Sequence, residues 1–200
     1  MSTVYVIIGP SNSGKTMFVS NSFINGHKCK YYKDIMGITE TESTYLIGNW
    51  LLDKRVRGTD VVARQYLGKI FEQIECLHNI NPEKDFVLEG FKIHSRPLLN
   101  KLIDAGYIVE LYYLYCSLET SRSRNFACDP TSTATYRLHN WIYVSAKNLY
   151  LAYKDKIVCH FMNTERLTSY EDFCNLNLDT FIEDDDSVLF DMKGTRLFKV

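Results

Sequence analysis

The six cysteines, Cys29, Cys76, Cys116, Cys128, Cys159 and Cys174, contain no C-x-x-C pair. That spacing argues against a zinc site or a dithiol redox motif. Cys116 and Cys159 sit in apolar runs, where a thiol serves as a small hydrophobe, and all six are expected to be reduced. There is no apolar run of membrane-spanning length. The N-terminus reads as a core strand, not a signal peptide. The expected location is therefore cytoplasmic, the host cytoplasm if the chain is viral, with no membrane partner. The chain also lacks a strong charge of either sign. Its formal net charge of −1 gives no global basic field for nucleic acid and leaves room for a local basic groove. No internal repeat is present; the nearest thing to a biased tract is Glu183-Asp184-Asp185-Asp186-Ser187.

What is present is globular. A chain of 200 residues with 46% hydrophobic and 24% charged content fits one domain with its own core. The stretch that organises it is Gly9-Pro10-Ser11-Asn12-Ser13-Gly14-Lys15-Thr16. This fits G-x-x-x-x-G-K-[ST] at every fixed position. Chance would produce that spacing in roughly one chain in a hundred of this length. The β-branched run from Thr3 to Ile8 precedes it, and a helical pattern with Met17, Phe18, Val19 and Ile24 follows, up to Gly26. Strand, glycine loop and helix form the arrangement that cradles phosphate. Gly9 and Gly14 allow the backbone to approach phosphate oxygens, and loop N–H groups with the helix N-terminus face the anion. Lys15 can reach β- and γ-phosphates, and the Thr16 hydroxyl can ligate Mg²⁺. The bland alternative is an ordinary Gly/Ser turn.

Four further strands are expected, at Ser43–Trp50, Asp85–Phe91, Ile108–Tyr115 and Lys156–Met162. Residues 27–33 read as strand or connector, and Thr39–Ser43 as a polar loop. Thr59 or Asp60 can cap a helix carrying Ala63, Leu67, Ile70, Ile74 and Leu77. Ser95 with Pro97 opens another, closed by Gly106. A long helix from about Ala134 to Tyr153 turns Leu138, Trp141 or Ile142, Leu149 and Ala152 inward. Tyr170–Phe181 can be helical, and Ser187–Phe198 reads as a β-hairpin. Alternating strands and helices predict an α/β fold: a five-stranded parallel sheet with helices on both faces, plus the C-terminal hairpin. Residues 1–182 form the main domain, and residues 183–200 an acidic stretch and hairpin packed on it.

Parallel sheets bind ligands beyond their C-terminal strand ends. The glycine loop, Trp50–Asp60, Glu89 and Cys116–Arg124 all follow such ends, so they are expected to line one crevice. Glu89 is the candidate carboxylate for the metal or its waters, unless it is a solvated strand end. Asp60 can orient or accept the acceptor proton, or only cap a helix. Arg122 and Arg124, with Arg137 as a third, are candidates for gripping phosphates; residues two apart on a helix do not share a face. Lys54, Arg55 and Arg57 can hold an acceptor phosphate or lie in a solvated loop. Trp50 can stack a base or pack in the core. His139 and His160 read as packing residues.

With the glycine loop, Val87-Leu88-Glu89-Gly90 and the Arg122/Arg124 pair, roughly residues 1–165 resemble the P-loop nucleoside and nucleotide kinase superfamily. The resemblance implies a three-layer P-loop kinase fold with a lid at about 117–137. It also implies ATP as substrate, Mg²⁺ as cofactor, and Glu89 as a magnesium-shell residue. Tyr45-Leu46-Ile47-Gly48-Asn49-Trp50 and Arg57-Gly58-Thr59-Asp60 look like the bacteriophage kinases that phosphorylate 5-hydroxymethyluracil in DNA, with Arg57 standing where a second glycine is expected. On that likeness the acceptor is the modified base in phage DNA and Asp60 is the acid/base. The alternatives are a free nucleoside or nucleoside monophosphate kinase, and an NTP-hydrolysing switch or assembly ATPase. The latter class is expected to carry a metal-binding Asp at a strand end, where this chain has Glu89-Gly90.

Overall fold

The computed structural model describes residues 1–33, 36–48, 50, 59, 68–90, 93, 95–128, 136–187 and 189. In chain order they form β1 (Thr3–Ile8), α1 (Lys15–Phe23), β2 (Lys30–Tyr32), β3 (Ile38–Glu40), β4 (Thr44–Ile47), α2 (Ile70–Ile80) and β5 (Asp85–Glu89). There follow α3 (Arg96–Asp104), β6 (Ile108–Tyr115), α4 (Leu118–Cys128), α5 (Tyr136–Tyr153), β7 (Val158–Asn163) and α6 (Tyr170–Cys174). The strands make one mixed sheet in the order β2-β3-β4-β5-β1-β6-β7.

The expected sheet of five parallel strands is therefore enlarged. The pairs β4·β5, β5·β1, β1·β6 and β6·β7 are parallel, but β3 joins β4 antiparallel and β2 joins β3 antiparallel. β3 falls partly in the stretch expected to be a polar loop. Its Thr39 is completely buried, and its hydroxyl accepts the Trp50 N–H at 3.3 Å. That burial comes from tertiary packing, so a three-residue strand with two polar side chains carries little periodicity of its own.

Both faces of the sheet are covered because its strands are apolar on both sides. Val4, Val6, Ile8, Phe86, Leu88, Leu111 and Tyr113 pack with Ile70 and Ile74 of α2, Leu99 of α3, and Ile142 and Leu149 of α5. Ile7, Leu46, Val87, Tyr112 and Leu114 pack on the other face with Phe18, Val19 and Phe23 of α1 and with Leu176. β1 lies inside the sheet, with β5 on one side and β6 on the other. The chain thus changes direction across the sheet at β1, and the crevice beyond its C-terminal end is the natural ligand position.

Local signals behave as their chemistry dictates. The Ser95 hydroxyl caps α3 by accepting the Leu98 N–H, Pro97 lies in the first turn, and Gly106 follows the helix at φ 85°. Of the helix expected after Asp60, the described part is α2, with Ile70, Ile74 and Leu77 buried. On α5, Ile142 is buried and Trp141 is 46% exposed. Ala152 is exposed and Tyr153 is buried in its stead, its hydroxyl donating to Asn100 Oδ1 at 2.8 Å. The helix expected over Tyr170–Phe181 stops at Cys174. Beyond it the Asn177 side chain accepts the N–H groups of Asp179 and Thr180, which favours a turn.

The expected tail hairpin lies outside the described residues except at Ser187 and Leu189. Leu189 has helical backbone and is fully buried. The strand-like contact here comes earlier, as a single antiparallel bridge between Asp184 and Phe161. Cys29, Cys76, Cys116, Cys159 and Cys174 are free thiols. No helix among the described residues is long and apolar enough to cross a membrane.

Candidate anion-binding loop and crevice

Residues Gly9–Gly14 connect the inner strand β1 to α1. A Cβ on Gly9 would lie 2.0 Å from the Leu114 carbonyl oxygen of β6 and 2.8 Å from Ser13 Oγ. Only glycine lets the loop leave the sheet this close to the neighbouring strand. Asn12 has φ 59°. Its side-chain amide donates to the Ser121 carbonyl at 2.9 Å, and its own carbonyl accepts from Arg124 Nη1 at 3.2 Å. The Ser121 hydroxyl, on a completely buried residue, donates to the Ser11 carbonyl at 2.7 Å. The loop is thus braced from α4.

Gly14 is the N-cap of α1 at φ 93°, with no side-chain cap and no acidic residue in the first turn. The initial N–H groups of a helix have no partner within it, and within this first turn no carboxylate offsets the positive end of the dipole. Lys15 is buried, and its Nζ donates to the Pro10 carbonyl at 2.7 Å, curled over the loop. Ser13 is fully buried, and its hydroxyl has no hydrogen-bond partner among the described residues. A buried hydroxyl left in this state calls for a ligand or water. An uncapped helix start, an inward ammonium and an unused hydroxyl make a site suited to an anion of phosphate type.

Beside the loop lies a pocket of about 270 Å³ lined by Asn12, Gly14, Lys15, Thr16, Met17, Arg124, Tyr170 and Phe173. Phe173 fixes the other glycine: a Cβ on Gly14 would meet its ring at 2.8 Å. The Asn21 side-chain amide of α1 donates to the carbonyls of Phe173 and Leu176 at 2.9 and 3.0 Å, which holds α6 against α1. Tyr170 and Phe173 did not stand out as site residues in the sequence. The local signal for α6 is the capping box of Ser169 and Asp172, which fixes its start.

The crevice gathers several of the expected residues. Glu89 ends β5, in register with Ile7 of β1, and is 3% exposed. That burial removes the reading as a solvated strand end. Its carbonyl accepts the hydroxyl of Thr59, itself completely buried, at 2.7 Å. Thr59 is thereby anchored to the end of β5. Asp60, Lys54, Arg55 and Arg57 lie outside the described residues. Trp50 is 3% exposed and packs with Phe18, Val19, Leu46 and Val87. Core packing, not base stacking, is therefore the role its position supports.

The two α4 arginines diverge, as two residues apart on one helix must. Arg122 is exposed. Arg124 turns to the loop and reaches Asn12 O, Thr164 Oγ1, Thr164 O and Leu167 O, with its guanidinium 4.8 Å above the Phe173 ring. Behind them, Cys116 follows β6 in a buried position, and desolvation pushes its thiol up to about 11. His139 Nε2 lies 2.8 Å from the Cys116 carbonyl. Burial lowers the His139 pKa, with that hydrogen bond opposing. Glu165 braces the start of α4, accepting from the Ser117 N–H at 2.7 Å and the Thr120 hydroxyl at 3.2 Å. Hydrogen bonding from Ser117 leads in holding its carboxyl below the usual range.

Among the described residues, no group of three or more His, Cys, Asp and Glu could hold a metal ion. Magnesium bound with a nucleotide needs no such cage, since phosphates and waters fill most of its shell. The Thr16 hydroxyl and the Glu89 carboxylate are donors of the right kind for the remainder. Neither a protein-family model nor a curated protein matches the chain.

Proposed function

We propose that this chain is an ATP- and Mg²⁺-dependent phosphotransferase with a P-loop kinase fold. It moves the γ-phosphate of ATP to a hydroxyl of a nucleotide-type acceptor, and 5-hydroxymethyluracil in phage DNA is the leading acceptor. The observation that carries the reading is the glycine loop itself. Its Ser13 hydroxyl, without a partner among the described residues, its inward Lys15 and the uncapped α1 follow β1, whose Ile7 is in register with the buried Glu89.

In this reading Gly9–Thr16 hold the triphosphate, and the pocket walled by Tyr170 and Phe173 takes the base and sugar. Magnesium, held by Thr16 and through Glu89, would neutralise charge on the β- and γ-phosphates. Lys15 stabilises charge on the transferring group, joined by Arg122 from the exposed side of α4. Asp60 is the residue after Thr59, whose hydroxyl is tied to the end of β5. It accepts the proton of the acceptor hydroxyl as that oxygen bonds to the γ-phosphorus and the bond to the β,γ-bridging oxygen breaks. Lys54, Arg55 and Arg57 hold the acceptor's phosphates.

The test uses purified protein with γ-labelled ATP. Duplex containing hydroxymethyluracil becomes labelled and thymine duplex does not. Label on free nucleosides or nucleoside monophosphates alone would move the acceptor to those molecules. Steady hydrolysis without acceptor, raised by self-association, would replace the kinase with an NTP-driven switch. Asp60→Asn is expected to retain nucleotide binding and lose transfer by about a hundredfold or more; turnover at the wild-type rate would leave Asp60 as a helix cap only.

A further inference from the structure

We infer that Arg124 is a positioning residue that sets the conformation of the phosphate loop, not a cation that meets the transferred phosphoryl group. The inference rests on the nucleotide reading above. All four of its acceptors are protein atoms around the loop: the carbonyls of Asn12, Thr164 and Leu167 at 3.2, 2.5 and 3.1 Å, and Thr164 Oγ1 at 3.2 Å. A guanidinium carries five N–H donors in a rigid fork. Four of these contacts, with the Phe173 ring against its face, tie the side chain to three separate segments.

What Arg124 holds is the residue on which the loop turns. Asn12 is the one described non-glycine residue at positive φ, at 59°. Asn tolerates this left-handed region better than other non-glycine residues, and its neighbours decide whether it stays there. Here two groups of α4 hold it: Arg124 on the Asn12 carbonyl and the Ser121 carbonyl on the Asn12 side chain.

The acceptors are fixed in turn. The Thr164 hydroxyl donates to the Tyr115 carbonyl at 3.1 Å. The Asp184 carboxylate accepts the Asn163 N–H and pairs with Arg166. The acidic stretch near the end of the chain thus steadies the segment that holds Arg124. From Asp184 the path runs by hydrogen bonds to Asn163 and Arg166, along the backbone to Thr164 and Leu167, and by hydrogen bonds again through Arg124 to Asn12 of the nucleotide loop.

A positioning role and a phosphate-gripping role separate in measurement. Mg·ADP keeps the loop and pocket contacts but lacks the γ-phosphate, so its affinity is untouched by a cation that meets only the transferred group. Arg124→Ala is expected to weaken Mg·ADP binding by about tenfold or more and to raise KM for ATP by a similar factor. Turnover at saturating ATP should stay within about threefold of wild type. Arg124→Lys, which keeps the charge but cannot span the same acceptors, rescues little of this. Thr164→Val removes one acceptor and is expected to weaken Mg·ADP by about two- to threefold. It keeps the inference testable should Arg124→Ala fail to fold, and unchanged Mg·ADP affinity in folded Thr164→Val would then count against it. A loss of turnover of about a hundredfold or more with Mg·ADP affinity unchanged, or full rescue by lysine, would overturn the inference. Wild-type protein that takes up no Mg·ADP would bring down the nucleotide reading itself. Wild type and Arg124→Ala binding equally well would bring down this inference alone.

Discussion

Replacing Gly9 with alanine tests whether the loop is as tightly set against the sheet as the geometry requires. The added Cβ would lie 2.0 Å from the Leu114 carbonyl oxygen, about 1.3 Å short of the roughly 3.3 Å that such carbon–oxygen contacts need. Leu114 cannot yield easily, because β6 is paired on both sides, with β1 and with β7. Overpacking of this kind costs about 1–3 kcal/mol, and alanine at φ +155° adds about 1–3 kcal/mol of backbone strain. The middle of both ranges gives about 4 kcal/mol, or a fall in Tm of about 8–16 °C for a chain of this size. Gly14→Ala meets the Phe173 side chain at 2.8 Å and Leu176 at ordinary contact distance, with no backbone in the way, so the cost is mainly strain at φ +93°, about 1–3 kcal/mol. Gly26→Ala meets nothing within 4 Å and pays only for φ +85°, about 1 kcal/mol. Gly68→Ala, in open space, changes stability by less than about 0.5 kcal/mol. Thermal melts followed by circular dichroism and calorimetry read the series. A Gly9→Ala protein melting within about 2 °C of wild type, or a Gly68→Ala protein as damaged as Gly9→Ala, would refute the reasoning.

Burial sets three further outcomes. With its thiol near 11, Cys116 should stay unmodified by a thiol reagent at pH 8 in folded protein while exposed Cys76 and Cys174 react; peptide mapping showing early Cys116 labelling would contradict its packing. Burial lowers the pKa of His139, so the folded state resists protonating it. That stability is present above the unfolded value of about 6.5 and is lost as pH falls through the lower folded value. Urea melts of wild type should therefore weaken from pH 7 towards 5, and His139→Gln should flatten that slope. Trp50→Ala should cost about 3–5 kcal/mol in the same melts if the indole is core; a loss under about 1 kcal/mol would reopen a base-stacking role.

The long parallel strands were legible because Thr3–Ile8, Asp85–Glu89 and Ile108–Tyr115 are apolar enough to be buried on both faces, and glycine or a capping residue marks their ends. The convergence of the loop, Glu89 and α4 followed from strand direction alone. The short strands β2 and β3 were harder to read, since Lys30–Tyr32 and Ile38–Glu40 owe their state to pairing across the sheet. Faces within a helix were legible only where packing leaves no choice. The pattern left Trp141 and Ile142 equivalent, and the neighbours of α5 bury Ile142. The Arg122/Arg124 spacing showed that the two could not act alike, but not which one faces the loop. That depends on Thr164 and Leu167, 40 and 43 residues further along, where local sequence carries no sign of it.

The most direct test of the account is a crystal structure with a non-hydrolysable ATP analogue and Mg²⁺. The β- and γ-phosphates should lie inside residues 9–16, with the Lys15 ammonium released from the Pro10 carbonyl, where it now sits at 2.7 Å, and turned onto them. The Ser13 hydroxyl should be in a hydrogen bond. A nucleotide bound elsewhere, with Lys15 still on Pro10, would contradict the account.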